Sequence, residues 1–64
     1  MNIYTETIAN GLKIDAEEAT KVHNFMDEWF DDFRWSTATE SKIVRKAKEA
    51  QKMMADPRFG NLVA

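Results

Sequence analysis

The single histidine of the chain, His23, stands four residues before Asp27, and Asp27 stands four before Asp31. On a helix that spacing lines one imidazole and two carboxylates along a face, the outline of a metal site. Zinc sites usually take about three or four ligands, often with more than one His or Cys. The sequence has no cysteine, and His23 lies at the edge of an apolar stripe beside Met26 and Phe30. A boundary histidine is the simpler reading, so no metal is expected. Nucleophilic chemistry has as little support. Ser36 and Ser41 are the only serines, both stand where a helix cap or a small residue is wanted, and no base is spaced to activate either. Two separated glycines cannot form a phosphate-cradling loop. The pattern speaks against an enzyme and asks for no cofactor.

Binding chemistry has more to work with. Asp27-Glu28 and Asp31-Asp32 are paired acids. They serve either as a solvated helix face or as a mimic of nucleic-acid phosphate aimed at a basic partner. Acids at the C-terminal end of a helix are disfavoured by the macrodipole, at a few tenths of a kcal/mol each, roughly, unless a base compensates. Further on, Arg45, Lys48 and Lys52 share a helix face that could touch phosphates. Glu40 and Glu49 dilute that field, and only Gln51 and Arg45 could read bases. The aromatics carry the most information, because five of the seven fall between Phe25 and Trp35. One pair of helices cannot obviously cover Phe25, Trp29, Phe30, Phe33 and Trp35 together. Either residues 1–14 and the apolar Phe59, Leu62 and Val63 complete the cover, or a patch stays open for a partner, since aromatics dominate interface centres.

The elements that must position these residues can be read from caps and periodicity. Asp15 and Glu18 have capping-box spacing, with Ile14 placed to staple onto the first turn. Ala19, Val22, Met26, Trp29 and Phe33 then recur at helical steps, flanked by Phe25 and Phe30. Trp35 breaks the pattern, since a continued helix would point it among the acids, so the helix is expected over about 16–34. Thr37 with Glu40, or Ser36 alone, caps a second helix over about 37–55. Its narrow apolar stripe is Ile43, Ala47, Ala50 and Met54, and it stops ahead of Pro57. A link of about two to four residues lays such helices antiparallel. Bulky Trp29 and Phe33 are then expected against small Ala47 and Ala50.

Residues 1–14 leave two alternatives. Ile3, Tyr4, Thr5, Thr7 and Ile8 favour strand, and Asn10-Gly11 is a strong hairpin signal. The rival is a short helix capped by Asn2, with Gly11 as left-handed C-cap and Leu12 packing back. The helix is preferred, because Gly11-Leu12 then performs both parts of that cap. The fold class is thus mainly α: an antiparallel helical hairpin with a short N-terminal helix or β-hairpin packed across it. One small domain over 1–64 is expected, with 56–64 as a C-terminal tail.

Length and charge bound the rest. A chain of 64 residues hides only about 60% of the surface its unfolded form exposes, so a second copy or a partner is a natural source of stability. At 44% hydrophobic and 31% charged, the composition is that of a soluble globular protein. No apolar run approaches the ~18 residues of a membrane span and no secretory signal is seen, so the expected setting is cytoplasmic, away from membranes. Net charge is −2, yet residues 1–33 carry −6 and residues 34–64 carry +4. Two oppositely charged helices lying side by side would explain that asymmetry, and so would a nucleic-acid-seeking surface. The leading expectation is a non-enzymatic protein-protein interaction module, adaptor or inhibitor, working as a homodimer. Its partner surface is Phe25, Trp29, Phe30, Asp31, Asp32 and Trp35. The alternative is a small dimeric nucleic-acid-binding regulator using Arg45, Lys48 and Lys52.

Overall fold

The computed structural model describes residues 2–58. Within them the chain forms three α-helices, α1 (Ile3–Leu12), α2 (Ala16–Trp29) and α3 (Glu40–Ala55), with a short 3-10 turn at Trp35–Thr37 between the last two. Each helix packs on both of the others. No strand occurs among the described residues, so the N-terminal segment takes the helical alternative rather than the hairpin. Of the expected tail 56–64, residues 59–64 lie outside the described residues, and so does the cover expected from Phe59, Leu62 and Val63.

Local chemistry explains where each helix starts. The Asn2 carboxamide oxygen accepts from the Thr5 amide at 2.8 Å and from the Thr5 hydroxyl at 2.9 Å, which also satisfies the one buried polar side chain among the described residues. Asp15 accepts from the Glu18 amide at 2.8 Å, as its spacing predicts. For α3 the cap is Thr39, which accepts from the Lys42 amide at 3.2 Å. The expected cap at Thr37 or Ser36 is not used, because those residues are taken up in the 3-10 turn. The helix therefore begins at Glu40 and not at 37.

The ends are equally specific. At the end of α1, Lys13 adopts a left-handed conformation (φ 58°, ψ 48°), and both its amide and that of Ile14 return to the Ala9 carbonyl. This is the cap expected at Gly11-Leu12, moved two residues on: Lys13 turns the chain and half-buried Ile14 packs back on the core. Gly11 stays helical because its bareness is needed elsewhere. A Cβ built there would collide with the Val44 side chain of α3, so the absence of a side chain is what lets α1 and α3 approach. At the other end of the chain, α3 stops at Ala55. Asp56 is extended (ψ 127°), the conformation a following proline enforces. The Asp56 carboxylate takes hydrogen bonds from the Arg58 side chain and backbone, which hold it below the usual carboxylate range. The same pairing raises the already high Arg58 guanidinium.

The largest departure lies at the end of α2. The periodicity predicts helix to residue 34, but the chain leaves it at Phe30, whose amide closes on the Met26 carbonyl at 2.9 Å. Its last turn contains no base to offset the acids crowded there, so extension through Asp31 and Asp32 would add further charges of the wrong sign for the dipole. The connection to α3 runs from Phe30 to Thr39, longer than a tight hairpin link.

The core is Ile8 from α1, Ala19, Val22, Phe25 and Met26 from α2, and Ile43, Ala47 and Ala50 from α3. The α3 stripe is as the spacing predicts, with Met54 half-buried beside it. On α2 the large buried residues are Phe25 and Met26. Trp29 is 38% exposed, and Phe33, off the helix, is half-buried and packs against the core, so Phe25 and Met26 rather than these two supply the large buried side chains expected of that stripe.

Two substitutions test this geometry. Alanine normally gains about 1 kcal/mol over glycine inside a helix, whereas overpacking a close contact loses about 1–3 kcal/mol. Gly11→Ala is therefore expected to lower the melting temperature in the native background. In a Val44→Ala background, where the obstructing methyls are gone, the same change is expected to stabilise. Lys13→Gly removes the left-handed penalty on a side-chain-bearing residue and is expected to raise stability by about 1 kcal/mol in urea unfolding.

Candidate functional site

Phe25 is buried and acts as the platform for a surface it does not itself reach. One turn on, Trp29 stacks against it, with centroids 5.8 Å apart and planes 20° apart. Phe30 meets it edge-on at 6.3 Å. Because α2 ends there, Asp31 and Asp32 follow as exposed residues of a turn, and Phe33 swings back to become half-buried. These five residues, Trp29 to Phe33, form one wall of a cleft of about 470 Å³. The opposite wall belongs to α3: Lys42, Lys46 and Glu49. Lys46 pairs with Glu49 at 3.4 Å and carries its ammonium over the Phe30 ring, 5.6 Å from the centroid. The cleft thus combines an aromatic floor with charges of both signs.

Trp35 belongs elsewhere. It stacks on the His23 ring at 4.6 Å (20°), meets Phe33 edge-on at 4.8 Å (85°) and lies 5.2 Å from Tyr4. This cluster ties α1, α2 and the connecting segment together through one half-buried indole. Phe33 joins the two assemblies, lining the cleft while packing on Trp35. His23 spends its ring face on Trp35, and its Nδ1 lies 3.4 Å from the Asn24 carboxamide oxygen. Among the described residues no group of three or more His, Cys, Asp or Glu side chains is arranged to hold a metal ion.

The basic residues Arg45 and Lys48 line a separate, shallow groove of about 600 Å³ with Thr7, Asn10, Gly11 and Val44, where α1 lies close to α3. Glu40 and Ser41 sit at the same groove. Lys52 is exposed on α3 and does not line it.

Of the six expected partner-surface residues, the fold brings Trp29, Phe30, Asp31 and Asp32 into one cleft, buries Phe25 beneath it, and places Trp35 in the neighbouring cluster. Lys42, Lys46 and Glu49 complete the cleft, and none of them is among the expected partner-surface residues. Their steps of four and three did mark a common helix face. What the spacing did not contain was the early end of α2 that turns the aromatics toward that face. No protein-family model, curated protein or solved structure matches the chain.

The two tryptophans should differ in what they hold. Trp35→Ala removes three ring contacts at the junction of the helices and is expected to cost about 2–3 kcal/mol, toward the low end for a truncated aromatic because the ring is only half-buried. Trp29→Ala, at the rim, is expected to cost about 1 kcal/mol. Urea unfolding followed by far-ultraviolet circular dichroism ranks the two directly, and equal losses would contradict the placement.

Proposed function

We propose that this chain is a non-enzymatic protein-binding module of adaptor or inhibitor type, acting in the cytoplasm and able to self-associate. Its contact surface is the cleft edge formed by Trp29, Phe30, Asp31 and Asp32. The observation that carries this reading is the exposure of Trp29, 38%, beside two exposed carboxylates and over a rigid buried ring. A large aromatic held in place before binding loses little freedom on association, which is the property of interface anchors. Phe25 and Trp35 support the surface from behind and from the side.

A second reading has its own observation. Arg45 and Lys48 share a groove with the side chains of Thr7 and Asn10, an arrangement able to track a phosphate backbone. It ranks below the first because Glu40 lies in the same groove and the whole chain carries −2.

Variants separate the two. For the protein-binding module, Trp29→Ala and the double change Asp31→Asn/Asp32→Asn are expected to abolish capture of partner protein on the immobilised chain while helicity is kept. Lys52→Ala, outside both grooves, is expected to leave capture intact. For a nucleic-acid binder the pattern reverses, and each lysine removed makes the salt dependence of duplex binding shallower by about one unit of slope. Anisotropy titration with random duplex at physiological salt is expected to show no appreciable binding.

A further inference from the structure

We infer that the occupant of the cleft edge is a second copy of this chain, docked so that Asp31 and Asp32 of one protomer meet Arg45 and Lys48 on the outer face of its partner's α3. This rests on the protein-binding reading of the Trp29 surface and adds to it the identity of the partner.

Charge that the fold leaves uncompensated is the starting point. Side-by-side helices would let the acids of α2 neutralise the bases of α3, but the structure does not use them so. Among the described residues the ion pairs are Lys46 with Glu49 and Asp56 with Arg58. The exposed side chains of Asp27, Glu28, Asp31, Asp32, Arg45, Lys48 and Lys52 have no ion pair with any described residue. Each protomer therefore presents exposed acids and exposed bases with no ion pair to any described residue, the one set complementary to the other across two copies. A two-fold axis relating two copies makes the acid-to-base contact twice, because an isologous interface repeats every pairing.

The composition of the cleft also selects against simpler partners. Lys42 and Lys46 stand on the wall facing Asp31 and Asp32, so a purely basic segment would meet repulsion. The surface of α3 around Arg45 and Lys48 offers both signs, since Glu40 lines the same groove. Trp29, at the rim of the acids, supplies the apolar centre that such a contact needs. The same pairing would occupy the basic groove residues and account for both surfaces with one partner.

Sedimentation equilibrium on the full chain tests this at micromolar to millimolar concentration. Wild type is expected to show a mass above the 7.4 kDa of one chain. Raising the salt from about 0.05 M to about 0.5 M is expected to weaken association at least tenfold, roughly, since the contact is carried by surface charges. Asp31→Lys/Asp32→Lys and Arg45→Glu/Lys48→Glu are each expected to be monomeric by themselves, with helicity unchanged because the substituted side chains are exposed. An equimolar mixture of the two variants is expected to recover association, since one contact of the mixed pair is then the native one and the other is complementary with reversed sign. A double variant that dimerises like wild type, a mixture no tighter than its components, or a salt-insensitive dimer overturns the proposal. So does salt-sensitive micromolar binding of duplex that is lost in Arg45→Glu/Lys48→Glu, which assigns the basic face to nucleic acid. If wild type is monomeric at all concentrations but Trp29→Ala still loses capture of a host protein, self-pairing fails and the binding surface stands. If capture is also unaffected, both fail.

Discussion

Close approach of helices at small side chains is what allows so short a chain to hold a core. Ala19, Ala47 and Ala50 are fully buried, and Gly11 leaves room for Val44 where α1 lies on α3. With little bulk at these positions, the few large buried residues, Ile8, Met26, Val22, Phe25 and Ile43, can be reached from all three helices at once. A chain of this length has a thin interior, and spreading it over wider helix spacings would leave voids whose lining atoms lose their contacts. The glycine also explains a local oddity. Because Gly11 is committed to packing, the left-handed turn that glycine usually makes falls to Lys13.

A second constraint shapes the surface. The acids that follow Met26 sit where the helix dipole disfavours them, and no base in the last turn relieves the mismatch. Ending α2 at Trp29 removes the backbone dipole from beneath Asp31 and Asp32 and releases Phe33 to return toward the interior. The exposed indole, the two carboxylates and the facing lysines of α3 are all consequences of that one termination. Binding chemistry here is thus assembled by where a helix stops rather than by a motif.

The aromatic residues divide between two tasks that composition alone lumps together. Phe25 is core, Trp35 is a brace across α1, α2 and the connection, and Trp29 with Phe30 form the cleft floor. His23 finds its place against the Trp35 ring. Phe33 touches both assemblies, so changes at the brace and at the cleft are mechanically linked through one side chain.

By itself the sequence determined the helical class, the caps at Asn2 and Asp15, the buried stripe of Ile43, Ala47 and Ala50, and the stop ahead of Pro57. Each of these depends on interactions within a few residues: a side chain reaching a nearby amide, an apolar repeat matching the helical turn, a ring that clashes with its neighbour. The acidic and aromatic character of the cleft was legible for the same reason, since Trp29 to Asp32 are contiguous. Tertiary structure alone decided that Gly11 packs instead of capping and that Thr39 rather than Thr37 begins α3. Those choices balance local preference against contacts between residues far apart in the chain, Gly11 with Val44 and Trp35 with Tyr4 and His23. Periodicity places a side chain on a face of its own helix. It carries no information about which other helix comes to lie there, and the cleft exists only because α3 does.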